Sequence, residues 1–360
     1  MGILRTVLAI AVVVFHSYKI FGLRLCGGQV AVQSFYMISG FYMALILNEK
    51  YKGPGYYKTF IKSRFYRIFP VYWIVLLLTV LISFTGYYLF DKPYFLARYI
   101  SYKECISLSA YAYFIFENIV IIGQDVMYFL RMDEFCRPEF SYHALSYKHA
   151  AYHYLLVPQA WSISIECLFY LLAPFLVTKQ IKWQVLIVLI SLSLRILYAT
   201  QFNLSFDPWT YRFLPFELAF FILGSLSYHY YKTIRSKMIS PKIGYGLLLC
   251  LVTAIVCYNE LKIEDTLKNY TFYAIFLCSL PFIFHAFKHN TIDRFIGELS
   301  FPIYIIHILI VSLFRNYFFS QPDRIIYYGY TVIGISVILA IIMQYSFINP
   351  IEKYRHKKFS

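Results

Sequence analysis

Two ionisable side chains lie in stretches of the chain that are otherwise apolar. One is His16, in the run that follows Arg5, and the other is Glu166, in Trp161-Ser-Ile-Ser-Ile-Glu166-Cys-Leu-Phe-Tyr170. Ionisable groups inside a membrane span are costly unless paired or hydrated, so they are the first candidates for function. A carboxylate can orient an imidazole and raise its basicity, which is the pairing that general-base catalysis on a hydroxyl requires. Arg5 and His16 are eleven residues apart. At about 100° per residue this is about 20° past three full turns, so the two share one helix face, about 16 Å apart along the axis. Arg5 is then expected at the membrane rim and His16 near mid-membrane. Glu166, one and a half turns after Trp161, is expected about 8 Å below the opposite rim, at a depth where it can meet His16. The plainer alternatives are a histidine that only hydrogen-bonds between helices and an ion pair that only fixes packing.

A second set of residues suits a phosphorylated ligand. In Lys62-Ser-Arg64-Phe-Tyr-Arg67-Ile-Phe-Pro70 the two arginines are three residues apart and project together from one end of a span. Guanidinium groups grip phosphate oxygens in a fork, and Arg5 is available on the same side. Basic residues at that end of a helix are also expected from topology and from anionic lipid alone. Tyr304 and His307, in Ser300-Phe-Pro-Ile-Tyr304-Ile-Ile-His307, share a helix face that can line the same cavity as His16. Arg195, Glu217 and His285 are further polar groups in apolar surroundings. Zinc-ligand spacing, a P-loop and a GxSxG elbow are all missing from the sequence, and no metal is expected.

The elements that must position these groups follow from composition. The 360 residues are 60% hydrophobic, 21% aromatic and 14% charged. A globular chain carries about 45–50% apolar and about 25% charged residues, so a soluble class is excluded. The fold class expected is all-α, a polytopic membrane helical bundle of about ten transmembrane helices in a single domain, 1–360. The spans are 4–23, 29–47, 69–90, 161–177, 183–201, 211–231, 243–258, 270–287, 299–318 and 325–348, each near the 20 or so residues that cross a bilayer core. Residues 91–160 are semi-polar and aromatic, contain Glu117 and Asp125, and are most apolar at 106–130. Counting them as a span would invert every later connection, so they are expected to form a re-entrant or interfacial region on the outer face.

The net charge of +15 is distributed by connection rather than by patch. Alternate connections hold the basic groups of 50–67, 179–182, 232–242 and 288–294, joined by the basic tail 351–360. Glu260, Glu264 and Asp265 fall on the opposite side. This is the cytoplasmic bias of Lys and Arg, which places both termini in the cytoplasm and removes nucleic acid as the explanation of the charge. The first apolar run lacks a small-x-small site and reads as a retained helix, not a cleaved signal. Of seven cysteines, Cys26, Cys105 and Cys136 fall on the outer side, where any two can pair if that compartment is oxidising.

Taken in order, these motifs resemble the integral-membrane acyltransferase family 3. The resemblance rests on Arg5 with His16, Ser34 to Phe41, Arg64 to Pro70 with Tyr72-Trp73, Trp161 to Glu166 with Phe169-Tyr170, Phe216 to Gly224, Ser300 to His307, and Asn349-Pro350 to Glu352. It covers essentially the whole chain. Cys167 stands where the family usually has a second acidic residue, and Arg64 with Arg67 replaces a commonly doubled arginine. The chain looks like the stand-alone form, without the esterase-like domain some relatives carry.

The resemblance implies an acetyl-CoA-dependent O-acetyltransferase of the bacterial cytoplasmic (inner) membrane. Its acyl donor is acetyl-CoA, and its acceptor is a hydroxyl of an extracytoplasmic glycan or glycolipid, such as lipopolysaccharide O-antigen. On this reading Arg5, Arg64 and Arg67 hold the CoA phosphates, His16 with Glu166 activates the hydroxyl or carries the acetyl group, and Trp161, Tyr304 and His307 contact substrate. Membrane lipid is the surrounding partner. The competing class is a carrier, flippase or polymerase of a lipid-linked glycan, with His16 and Glu166 as a proton relay.

Overall fold

The structure is a computed structural model that describes residues 1–237 and 240–359. The chain enters through α1 (Gly2–His16), turns back into α2 (Gly27–Glu49) and continues through α3 (Tyr56–Phe90), a helix of 35 residues. Between α3 and α6 lie two short helices, α4 (Ala97–Ser101) and α5 (Leu108–Val120), and an antiparallel hairpin of β1 (Leu130–Met132) and β2 (Pro138–Phe140), with Arg131 opposite Glu139. The second half is almost wholly helical: α6 (Trp161–Leu176), α7 (Ile181–Gln201), α8 (Leu214–Ile234), α9 (Pro241–Cys257), α10 (Asp265–Phe287), α11 (Thr291–Phe319), α12 (Tyr328–Met343) and α13 (Asn349–Phe359).

This is the all-α polytopic membrane bundle that the composition requires. Among the described residues, eight helical segments are long and apolar enough to cross a membrane. Two of the ten expected spans fall outside those eight: α1, which has only 15 residues, and α8, whose buried face carries Glu217, Ser225 and Ser227. Such groups are tolerated where neighbouring helices cover them.

Two boundaries differ from expectation, and both bear on the site. The first span does not run to residue 23; α1 ends at His16. Ser17 folds back on Val13, with its amide 3.0 Å and its hydroxyl 2.7 Å from the Val13 carbonyl. Phe21 and Gly22 then take φ of 50° and 78°, and Ile20 and Leu23 exchange backbone hydrogen bonds of 3.1 and 2.8 Å. The apolar residues after His16 therefore line a turn, and hydropathy alone does not see a reversal made by backbone dihedrals. The third span does not begin at residue 69, because helix α3 already starts at Tyr56. Arg64 and Arg67 consequently sit well inside a helix, with Pro70 tolerated one turn on.

Helices α1 and α11 lie side by side and parallel. The Asp293 carboxylate of α11 accepts from the Met1 ammonium at 2.7 Å and from the Gly2 and Ile3 amides at 2.7 and 2.9 Å. It thereby satisfies amides that a helix N-terminus leaves without partners. Thr6 donates to the Ile296 carbonyl at 2.6 Å, one turn further on. Helices α2 and α8 approach more closely still. A Cβ on Gly40 would fall 1.8 Å from the Phe221 carbonyl oxygen, and one on Gly224 would fall 2.0 Å from that of Met37. Only hydrogen fits at either point, the small-residue contact that membrane helices use where lipid offers no hydrophobic drive.

Both chain ends lie at one end of the bundle, termed basal here. Met1 is held by Asp293, and Arg355 of α13 donates to Ser63 of α3 at 2.9 Å. Residues 91–160 cover the other, apical end. Their longest helix, α5, has 13 residues, fewer than the 20 or so that cross a bilayer core. Tyr72 and Trp73 of α3 donate to the carbonyls of Asn118 and Ile119 at 2.5 and 2.9 Å. Ser164 of α6 donates to Asp125 at 2.5 Å. Of the three candidate cysteines, Cys105 and Cys136 are joined in a disulfide and Cys26 is free and buried.

Candidate active site

A cavity of about 490 Å³ opens the basal half of the bundle, lined by α1, α2, α3, α6, α10, α11 and α13. All three arginines singled out by the sequence face it. Arg5 comes from the first turns of α1, and Arg64 and Arg67 come from one face of α3. Arg64 is only 8% exposed, its guanidinium lies 5.8 Å from the Phe60 ring, and its Nε has no hydrogen-bond partner. Arg67 is exposed, and Arg294 of α11 and Arg355 of α13 bring the lining to five guanidiniums, of which only Arg355 is in an ion pair among the described residues. The four carboxylates of the lining are engaged elsewhere. Asp293 holds the start of α1, Glu298 accepts from Gln344, Glu352 pairs with Arg355, and Glu166 accepts from hydroxyls. Four guanidiniums thus line one space without a carboxylate partner among the described residues. Charge of this kind is stabilised by an anion that enters the cavity.

Glu166 is placed by α6 against α2. Its carboxylate accepts from Ser39 at 2.6 Å and from Tyr170, whose hydroxyl also lies 3.3 Å from that of Ser39. The charge it stands near is Arg5, which is within electrostatic range of Arg67, Tyr42, Glu166 and Tyr170. The expected pair of His16 with Glu166 is therefore not formed. Phe15 packs on Gly28 at the start of α2, and Ser39 lies eleven residues further along that helix. Glu166 consequently sits about 16 Å basal of His16. The expectation failed because it measured depth from Trp161 as though that residue stood at the membrane rim. Helix α6 starts inside the bundle, where Gln159 in the turn before it donates to the Ile305 carbonyl midway along α11.

The histidines form a separate apical cluster. His16, the last residue of α1, is exposed, and its ring centroid lies 5.3 Å from that of His307. His307 is fully buried, and its Nδ1 lies 2.5 Å from the Tyr304 carbonyl. A carbonyl oxygen only accepts, so Nδ1 carries the proton and Nε2 keeps its lone pair. That Nε2 has no hydrogen-bond partner. The charged group nearest in effect to His16 is Arg212, not a carboxylate.

Of the three residues expected to touch substrate, Tyr304 lines the cavity at its apical limit, where its hydroxyl lies 2.6 Å from that of Ser162. His307 lies one turn beyond that limit. Trp161 does not face the cavity, because its ring packs 4.1 Å from the Arg212 guanidinium, which Tyr128 covers from 4.0 Å. Asp207 holds the same guanidinium by two bonds of 2.6 and 2.9 Å.

Sequence reasoning missed Arg212, Ser39, Tyr170, Ser162 and Arg294 as members of the site. Spacing carried a signal for two of them: Ser162 and Tyr170 stand four residues either side of Glu166, on its own helix face. Arg212 is an arginine at the apical start of a helix, against the charge bias, which is itself a flag. Ser39 required knowledge of which helix packs on α6.

Residues 1–343 match the family model for an acyltransferase domain, acyltransferase family 3, and the chain belongs to that family. The match takes in every helix from α1 to α12, and with them the arginines, Glu166 and the histidine cluster. No curated protein and no solved structure matches the chain. The protein is a multi-pass membrane acyltransferase.

Proposed function

We propose that the protein transfers an acetyl group from cytoplasmic acetyl-CoA to a glycan hydroxyl on the far side of the bacterial cytoplasmic membrane, with lipopolysaccharide O-antigen as the preferred acceptor class. The observation that carries this reading is the cavity of about 490 Å³, with unpaired guanidiniums at its basal end and the histidine pair just past its apical end. The volume falls within the range of about 300–1,000 Å³ usual for ligand sites. Arg5, Arg64, Arg67 and Arg294 hold the donor's phosphates, and the thioester arm points toward Tyr304. The basal end faces the cytoplasm in this arrangement, as the distribution of Lys and Arg suggests. The Cys105–Cys136 disulfide supports an oxidising compartment at the apical end.

In the transfer itself the thioester C–S bond breaks as the acyl carbon bonds to the acceptor oxygen. His16, exposed to the apical side, takes the hydroxyl proton, which then leaves with the CoA thiol. A hydroxyl is too weak an acid to react without such a base. His307 stands against His16 with an unshared lone pair on Nε2. Glu166 works at the donor end, where it fixes Ser39 and Tyr170 and balances Arg5.

The test is CoA release by nanodisc protein given acetyl-CoA and a crude surface-glycan acceptor, for wild type and His16→Ala. Release that depends on His16, with acetate found on the glycan, is the expected result. Absence of release together with absence of donor binding would return the chain to the carrier class, with the arginines as a lipid-phosphate site.

A further inference from the structure

The lining of the donor cavity stops one turn short of the histidine pair. On α11 the lining runs from Asp293 to Tyr304, on α6 it begins at Ser162, and on α2 it begins at Val32. A cross-bar of hydroxyls stands at that limit. The Ser162 and Tyr304 hydroxyls are 2.6 Å apart, and both are tied to the Gln159 carbonyl, at 3.2 and 3.0 Å. Phe35 braces the Tyr304 ring with its centroid 6.3 Å away. His307 follows Tyr304 by one turn and touches it, with ring centroids 5.7 Å apart, and His16 lies beyond. An acyl group held at the apical limit of the cavity therefore has the cross-bar between itself and the base.

We propose that the Ser162–Tyr304 hydrogen bond is a latch on the acyl passage, and that the gap it leaves when parted sets the length of acyl chain the protein transfers. The inference rests on the donor reading above. Three features favour a latch over a packing contact. Both hydroxyls belong to side chains that line the cavity, so a ligand reaches them from below. The bond joins two different helices, α6 and α11, which can separate without breaking either backbone. Its other anchor, the Gln159 carbonyl, lies in a short 3-10 turn, not in a helix interior. A two-carbon acyl group needs only a small rotation of the Tyr304 ring, whereas a four-carbon chain must displace Phe35 as well.

The experiment uses full-length wild type, Ser162→Ala and Tyr304→Phe in nanodiscs, with acetyl-CoA and butyryl-CoA offered separately alongside the crude glycan acceptor. Both CoA release and the mass of the acylated glycan are followed. Tyr304→Phe keeps the ring and loses only the hydroxyl, and Ser162→Ala removes the other partner without creating a larger void. Losing one neutral hydrogen bond shifts an open–closed balance by about tenfold. Both variants are therefore expected to raise the butyryl-to-acetyl ratio of kcat/KM, by up to about tenfold. An unchanged ratio in both, with acetyl transfer intact, overturns the latch. Loss of acetyl transfer in both, in monodisperse protein that still binds acetyl-CoA, also overturns it, because the hydroxyls would then serve the chemistry. Wild type that releases no CoA refutes the donor reading itself, a result distinct from either of these.

Discussion

Replacing Arg64 with methionine separates a ligand-binding arginine from a structural one. Arg64 is 8% exposed, and among the described residues its Nε has no hydrogen-bond partner and its guanidinium no ion-pair partner. A buried donor left unsatisfied costs about 1–3 kcal/mol, so Arg64→Met relieves the unliganded protein of that cost while keeping most of the apolar stem. At about 2 °C per kcal/mol for a chain of this size, Tm is expected to rise by about 2–6 °C. The same substitution removes a charge-assisted hydrogen bond to phosphate worth about 1.5–3 kcal/mol, so the Kd for acetyl-CoA is expected to rise about 10- to 150-fold. Thermal scans of nanodisc protein over an acetyl-CoA titration give both quantities at once. A fall in Tm with an unchanged response to acetyl-CoA would refute the reasoning, because Arg64 would then be supporting the fold and not a ligand.

Two further outcomes follow from packing and titration. Gly40→Ala would place a methyl group 1.8 Å from the Phe221 carbonyl, a backbone atom that cannot step aside without moving α8. The variant is expected to lose several kcal/mol and to yield little monodisperse protein by size exclusion; wild-type yield and Tm would show that α2 and α8 do not touch there. At the apical end, burial and then the nearby Asp125 push the Glu117 carboxyl up from 4.5 to about 7. The folded state therefore binds more protons than the unfolded state between these values, and stability falls as pH rises through that window, by on the order of 3 kcal/mol. Glu117→Gln is expected to flatten the dependence of Tm on pH between about 4.5 and 7. An equal slope in the variant would assign the effect to another group.

The mechanism divides labour along the bundle axis. On the proposed reading, donor charge is met basally by groups on α1, α3 and α11, the base is His16 at the apical end of α1, and Tyr304 and Ser162 lie between. Arg5 and His16 belong to one helix of 15 residues, so a single element sets the distance between the proposed phosphate grip and the proposed base. That is the physical value of their eleven-residue spacing. Two groups on one helix face cannot drift relative to each other without unwinding the helix.

The sequence by itself determined the fold class and three of the arginines that face the cavity, Arg5, Arg64 and Arg67. Each of these depends on composition or on spacing within a single helix, which propagates through local backbone geometry. That residues 91–160 would hold no helix of full spanning length was legible for the same reason, since span length is one-dimensional. Tertiary structure alone decided which buried groups meet. His16 and Glu166 seemed fit to pair because each depth was counted from a rim assumed to stand at the edge of its own apolar run. The rims are fixed by where the backbone turns, at Ser17 for α1 and inside the bundle for α6. Glu166 instead met Ser39, and His16 met His307, because α2 packs on α6 and α1 lies parallel to α11. Those contacts join residues more than a hundred positions apart. No periodicity within a helix encodes them, and only the close approach of whole helices brings them together.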